Sequence, residues 1–176
     1  MRQNFTSVIS NATPLIYLGK LGQLGLLLDL YTEITIPYDV YVEVVLNGLR
    51  LGAPEASVIE NIVQKGLITV RNITYPDLLP DWAAPLDQGE ISVVLLAQER
   101  PVDFVLIDNL HARRAAVHAK CNVKGTVGIL LDAVRLQHLS LIQFELLINQ
   151  IMSDPTFWIS ERLCEQALMI ARKEKS

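Results

Sequence analysis

The stretch SVISNATPLIYL, residues 7–18, shows the strand–helix pattern that the rest of the chain repeats. The apolar pair Val8–Ile9 predicts a short buried strand that ends at Asn11. Thr13 predicts the N-cap of a following helix, and Pro14 suits the first helical position. A polar residue between a strand and a helix is a common place for chemistry in α/β proteins, so Asn11 is either part of a site or only a turn residue.

Short β-branched apolar runs alternate with helical patterns along the chain, which predicts βαβ units and a mainly parallel sheet with helices on both faces. Strands are predicted at 7–10, 33–37, 67–73, 103–108 and 122–125. Helices are predicted at 13–30 (broken near 19–22), 38–47, 54–65, 87–100, 110–120, 126–139 (with Thr126 as its N-cap), 141–152 and 160–174. Ligands of open parallel sheets bind beyond the carboxyl ends of the strands, which here are Asn11, Pro37, Asp108 and Gly125–Thr126.

The composition predicts a folded chain of one domain, because 51% of its 176 residues are hydrophobic. No apolar run has the length of a membrane span, and the start of the chain has no apolar segment of secretory length. We therefore expect a cytoplasmic protein in which Cys121 and Cys164 are buried free thiols.

The net charge of −4 excludes a generally basic surface of the kind that coats nucleic acid. Residues 108–138 nevertheless hold five basic and two acidic residues, a local charge of +3, together with all three histidines. This window is either a patch that contacts phosphate or, more simply, a solvated helix face.

Three acids are candidates for a site, and each has a simpler structural explanation. Asp108 follows the strand FVLI and either binds a metal or caps the next helix. Asp87 and Glu90 have the spacing of a capping box, although the small Gly89 would also leave room for a ligand. Glu43 lies in or beside an apolar stripe, where a carboxylate needs a partner or a metal unless its stem is only partly covered.

The apolar stripe around Glu43 is expected to consist of Tyr38, Val42, Val45 and Leu46, widened by Val40 and Val44. Oxygen ligands without clustered Cys or His suit Mg²⁺ or Mn²⁺, which can activate water and stabilise charge on a phosphodiester. The sequence contains no dinucleotide, P-loop or nucleophile-elbow motif.

The ordered segments VISNATPLIYL, ITIPYDVYVEVV, LDQGEISVVLLAQE and FVLIDNLHARRAAVHAKCNVKGTVGILLDA resemble the PIN domain. They resemble most closely a prokaryotic branch of that family near the VapC-type toxins. This resemblance implies a three-layer α/β/α sandwich and a single PIN-like domain, with a core at about 7–139 and a helical extension at about 140–176.

The resemblance also implies a ribonuclease whose acidic cluster binds Mg²⁺ or Mn²⁺. Its four acid positions fall on Asn11, Glu43, Glu90 and Asp108, and its supporting polar positions fall on Thr13 and Thr126. Asn11 is a departure, because an amide can ligate a cation through its oxygen but has no charge and no basicity. Candidate contacts for the RNA backbone are Arg113, Arg114 and Lys124.

The leading hypothesis is a metal-dependent endoribonuclease that forms the toxin of a toxin–antitoxin pair. Its expected partners are RNA, a small antitoxin and a second copy of the chain, bound through the helices in 13–30 and 141–174. Two alternatives remain open: a non-catalytic PIN-fold module that binds RNA or protein, and an unrelated metal-dependent phosphohydrolase.

Overall fold

Five strands form one all-parallel sheet in the structure, a computed structural model that describes the backbone of residues 6–175 and the side chains of residues 6–174. The strands are β1 (Ser7–Ser10), β2 (Glu33–Pro37), β3 (Thr69–Arg71), β4 (Phe104–Leu106) and β5 (Val123–Lys124). Their order is β3-β2-β1-β4-β5. Every neighbouring pair is parallel, as the sequence predicts.

The described residues fall into two compact units, one ending at Lys124 and one starting at Gly125. The helical segments of the first unit are α1 (Ala12–Lys20), α2 (Gly25–Leu30), α3 (Tyr38–Tyr41), a π-helical segment (Val42–Asn47), α4 (Gly48–Arg50), α5 (Pro54–Gln64), a 3-10 turn (Asp81–Ala83), α6 (Gln88–Glu99) and α7 (Leu110–His118). Helix α1 packs against α5, and α6 packs against α7. Because the strand order reverses after β3, right-handed crossovers place these two pairs on opposite faces of the sheet. The predicted α/β/α sandwich is confirmed.

The second unit contains α8 (Thr126–Arg135), α9 (Leu141–Ser153) and α10 (Glu161–Lys175), which pack against one another. Phe144 and Ile148 on α9 and Cys164 on α10 are fully buried. Arg135 contacts both carboxylate oxygens of Glu174, at 2.9 and 2.7 Å. None of the helices in residues 6–175 is long and apolar enough to cross a membrane.

Two predicted helix caps are wrong. Helix α1 starts at Ala12 and its N-cap is Asn11, because the backbone of Asn11 is still extended (φ −76°, ψ 172°) while Thr13 already lies inside the helix. The N-cap of α8 is likewise Gly125, also extended, so Thr126 is the first helical residue and not the cap. In both places the chain turns one or two residues earlier than the hydroxyl side chain suggests.

Element boundaries shift at several other positions, although every predicted element is present. The strand predicted at 67–73 is reduced to β3, and the strand predicted at 103–108 ends at Leu106. The helix predicted at 126–139 ends at Arg135, and the following loop contains Gln137 with a positive φ of 65°. Cys121 and Cys164 are free thiols, as expected; Cys164 is buried, whereas the predicted burial of Cys121 is wrong, because this residue is only half-buried after the end of α7.

Candidate functional site

The carboxyl ends of β1 and β4 lie side by side in the middle of the sheet. Ser10 pairs with Leu106, and the backbone N–H of Asn11 donates to the carbonyl of Leu106 at 2.9 Å. Asp108 follows two residues beyond the end of β4. The strand β2 lies on one side of β1, and β4 and β5 lie on the other side. The carboxyl ends of β1 and β4 therefore form the topological switch point, the place at which α/β sheets bind ligands.

Three side-chain oxygens surround Gly89, the second residue of α6. A Cβ at this position would lie 3.1 Å from Glu43 Oε2, 3.4 Å from Asp87 Oδ1 and 3.8 Å from Asn11 Oδ1. The absence of a side chain at Gly89 therefore leaves a small space that oxygens from three separate elements border. The sequence predicted Asn11 and Glu43 for this site, and the structure brings them to the same place.

The side chain of Asn11 is buried, with 3% of its surface exposed. No hydrogen-bond partner among the described residues reaches its Oδ1. A buried polar atom without a partner costs free energy comparable to a lost hydrogen bond, so this oxygen is suited to a ligand that the protein itself does not supply.

Asp87 and Glu90 form the predicted capping box at the start of α6. Asp87 Oδ1 accepts from the N–H of Glu90 at 2.8 Å, and Glu90 Oε2 accepts from the N–H of Asp87 at 3.2 Å. Glu90 is 5% exposed, and the hydrogen bond from the Asp87 N–H holds its carboxylate next to Asp87. Sequence reasoning did not include Asp87 among the site residues, because its spacing to Glu90 already accounted for it as a cap.

The electrostatics of this cluster favour proton or cation uptake. Desolvation, followed by repulsion from Asp87 and Glu90, raises the pKa of Glu43 above its ordinary value. Desolvation and then the charge of Asp87 also raise the pKa of Glu90, although the hydrogen bond from the Asp87 N–H opposes this effect. Although Glu43 is exposed on a cleft, negative charge is concentrated around it, and a bound cation would relieve the repulsion.

Glu43 lies in a helical segment that departs from α geometry. The buried side chains around it are Val40, Val44 and Val45, whereas Tyr38 and Leu46 are exposed. The predicted apolar stripe is therefore wrong in part. It assumes a period of 3.6 residues, while residues 42–47 form a π turn with i→i+5 hydrogen bonds. Such turns frequently occur at functional sites.

A cleft of about 480 Å³ opens beside these oxygens. Its lining residues are Tyr38, Asp39, Val42, Glu43, Asn47, Asp87, Gln88 and Gly89. The loop before α6 is attached to the cleft by Tyr75, whose hydroxyl donates to Asp39 Oδ2 at 3.0 Å, while Gln88 Nε2 donates to Asp39 Oδ1 at 2.8 Å. Burial and the bond to Asp39 raise the pKa of Tyr75 to about 12, so this hydroxyl keeps its proton.

The sequence did not predict the Tyr75–Asp39–Gln88 contacts. Tyr75 is 36 residues from Asp39 and 13 residues from Gln88, and Gln88 is 49 residues from Asp39. No local spacing joins residues at such separations.

Asp108 does not cap α7. The N-cap is Asn109, whose Oδ1 accepts from the N–H groups of His111 and Ala112 at 2.8 and 3.2 Å. This excludes the capping alternative for Asp108 and leaves its half-buried carboxylate at the sheet edge. Arg113 Nη1 donates to the carbonyl of Ile107, the residue before Asp108, at 2.9 Å. This bond fixes the guanidinium of Arg113 at the end of β4.

The other residues that the sequence predicted for the site lie on different elements of the fold. Thr13 is half-buried in the first turn of α1, and Arg114 is exposed on α7. Lys124 Nζ lies 3.8 Å from the centre of the Phe104 ring, a cation–π contact. Thr126 lies in the second unit, where its side chain is buried.

The oxygens around Gly89 meet some of the requirements of a site for a hard divalent cation. Glu43, Asp87 and Asn11 present oxygens around one space, and oxygens are the ligands that Mg²⁺ and Mn²⁺ prefer. Within residues 6–175, however, no three Asp, Glu, His or Cys side chains are arranged as a ready metal site. Asn11 accounts for part of this difference, since it offers an oxygen without the charge of an acid.

Comparison with family models matches residues 7–173 to DUF3368, a family described as PIN domain. Comparison with curated proteins and comparison with solved structures each found no match. A match over nearly the whole chain removes the hypothesis of an unrelated phosphohydrolase.

Proposed function

The chain belongs to the PIN-domain family, and we propose that it is a metal-dependent endoribonuclease that acts in the cytoplasm as the toxin of a toxin–antitoxin pair. Family membership indicates nuclease activity and RNA binding in general. The observation that supports the finer proposal is the convergence of Glu43, Asp87 and Asn11 oxygens around Gly89 at the switch point of the sheet.

We assign the metal site to Asn11, Glu43, Glu90 and Asp108, with Asp87 as an additional oxygen donor. A bound Mg²⁺ or Mn²⁺ supplies stabilisation of the charge that builds on the phosphodiester and activation of water. The unpaired Oδ1 of Asn11 can accept a hydrogen bond from the attacking water and orient it. The guanidinium groups of Arg113 and Arg114 and the ammonium group of Lys124 bind the RNA backbone.

A second candidate is a catalytically weakened module that binds RNA or protein. Asn11 favours it, because one negative charge is missing where a nuclease of this family carries Asp. Because Asn11 is neutral, the cluster holds one carboxylate fewer than it would with Asp at this position, so mutual repulsion falls, and so does attraction for a cation.

One experiment distinguishes these functions. We would incubate the chain with single-stranded RNA and Mn²⁺ beside Asp108→Ala, Asn11→Asp and Glu99→Gln, and measure Mn²⁺ binding by calorimetry. Glu99 is an exposed control at the opposite end of α6, about 13 Å from Glu90 along the helix.

Cleavage that Asp108→Ala abolishes and Glu99→Gln preserves supports the nuclease. Cleavage by Asn11→Asp alone supports the weakened module. Absence of both cleavage and Mn²⁺ binding in the native chain and in Asn11→Asp refutes the metal proposal.

We also propose two protein partners, a small antitoxin and a second copy of the chain. In residues 13–30 the side chains of Leu15, Leu18 and Leu27 are buried, so they do not offer a dimer surface. Ile142 and Leu146 on α9 are exposed and could meet a second copy. A short open reading frame beside this gene, with a product that co-purifies with the chain and stops cleavage, would support the antitoxin.

A further inference from the structure

An aromatic ring stands at the edge of the cleft, next to the acidic oxygens. Tyr38 lines the same cleft as Glu43 and Asp87, and 47% of its surface is exposed. Its ring stacks on that of Tyr41, with centroids 6.1 Å apart and planes inclined by 28°. Tyr41 therefore supports the ring on one side, while Tyr38 itself remains open to the cleft.

The π turn adds a second recognition group to this face. Val42 and Asn47, five residues apart, both line the cleft. In an α-helix, residues five apart point about 140° away from each other, whereas a π turn brings i and i+5 to the same side. The side-chain amide of Asn47, which is exposed, thereby joins Tyr38 and Val42 beside the site.

We propose that Tyr38, Val42 and Asn47 form a binding site for one unpaired nucleobase of the RNA substrate, an inference that rests on the proposed ribonuclease function. Tyr38 offers a ring face for stacking, which is how proteins hold unpaired bases. Val42 provides an apolar wall. Asn47 offers both hydrogen-bond donors and an acceptor, which match the edge of a base.

The charge of the cleft favours a base over a phosphate at this position. Its lining includes the carboxylates of Asp39, Glu43 and Asp87. Among the described residues that line it there is no Lys or Arg. Without a bound cation these acids would repel a phosphate, whereas they would not repel a neutral base stacked on Tyr38. The base must be unpaired, because a base within a duplex has no free face.

The test compares binding of a labelled single-stranded RNA 12-mer with binding of an abasic ribose-phosphate strand of the same length. Fluorescence anisotropy in EDTA measures this preference without cleavage and without a metal. We expect the native chain to favour the base-bearing strand by about tenfold. Tyr38→Phe should keep this preference and Tyr38→Ala should lose it.

Leu49→Ala is the matched control, since it removes an exposed apolar side chain from α4, outside the cleft lining. Circular dichroism melts verify that each variant is folded. Asn47→Ala should keep the preference for bases but reduce the differences among the four homopolymers.

The outcomes separate this site from the nuclease itself. RNA cleavage in Mn²⁺ without any preference for the base-bearing strand overturns the base site alone. A base preference that depends on the Tyr38 ring, in a chain that never cuts RNA, supports the base site and refutes the nuclease. Equal affinity of folded Tyr38→Ala and native chain for the base-bearing strand, or an equal effect of Leu49→Ala, overturns the base site.

Discussion

The substitution Gly89→Ala isolates the space that the three oxygens border. The added Cβ would lie 3.1 Å from Glu43 Oε2, closer than ordinary van der Waals contact, and 3.4 Å from Asp87 Oδ1. The flexible side chain of Glu43 can move by a few tenths of an ångström, so the steric cost is small. Replacing Gly with Ala inside a helix stabilises it by up to about 1 kcal/mol. We therefore expect the free energy of unfolding to change by less than about 1 kcal/mol.

Metal binding should respond very differently. The methyl group would occupy the space between Glu43, Asp87 and Asn11 and displace the Glu43 carboxylate. We expect Mn²⁺ affinity to fall by roughly 10- to 100-fold, the loss that is typical when metal ligands are no longer held in their orientation. Calorimetry with Mn²⁺ and thermal melting in EDTA measure the two effects separately.

Gly25→Ala is the matched control, because Gly25 opens α2 and a Cβ there would have nothing within 4 Å. It should change neither Mn²⁺ affinity nor RNA cleavage. Native Mn²⁺ affinity in folded Gly89→Ala would refute the reasoning that these oxygens hold the cation.

Three further predictions concern the surroundings of this space. Asp87→Ala removes the N-cap of α6 and should cost about 1 kcal/mol in urea unfolding, whereas Asp87→Asn keeps a cap oxygen and should lower mainly Mn²⁺ affinity; equal stability losses would contradict these two roles. The pKa of Glu43 is raised in the folded chain, so the stability that its protonated form contributes is present below the ordinary pKa of 4.5 and is lost as the pH rises through the folded value. Without metal, the melting temperature of Glu43→Gln should therefore fall less than that of the native chain over this pH range. Identical pH profiles of the two proteins would show that the pKa of Glu43 is not raised by folding. Tyr75→Phe removes the hydroxyl that donates to Asp39 and should cost about 1 kcal/mol by thermal melting, so an unchanged midpoint would show that this bond adds no stability.

Local sequence was sufficient for the elements and for one cap pair. Short apolar runs predicted all five strands. For β1, β2 and β4 the reason is burial, because a buried parallel strand needs a continuous apolar segment, whereas β3 and β5 contain no buried residue. The Asp87–Glu90 spacing predicted the capping box, since both of its hydrogen bonds span only three residues. Local sequence did not predict the N-caps of α1 and α8, which are Asn11 and Gly125 and not Thr13 and Thr126. The point at which the extended backbone turns into the helix decides which residue is the cap.

The candidate site could be predicted only in part. The resemblance to PIN domains supplied Asn11 and Glu43, which the fold then placed around Gly89. It gave no reason to include Asp87, whose cap role was sufficient from sequence alone. The π turn at residues 42–47 was also missed, since the apolar pattern was interpreted with the period of an α-helix.

The sequence by itself determined the strand–helix alternation, the family and the loss of one charge at Asn11, because each of these depends on residue types and short spacings. Only the tertiary structure decided the strand order, which brings the end of β1 beside the end of β4. It also decided that oxygens from positions 11, 43 and 87 meet at one glycine. Contacts across such separations depend on how helices pack on the sheet, and no local pattern encodes that packing.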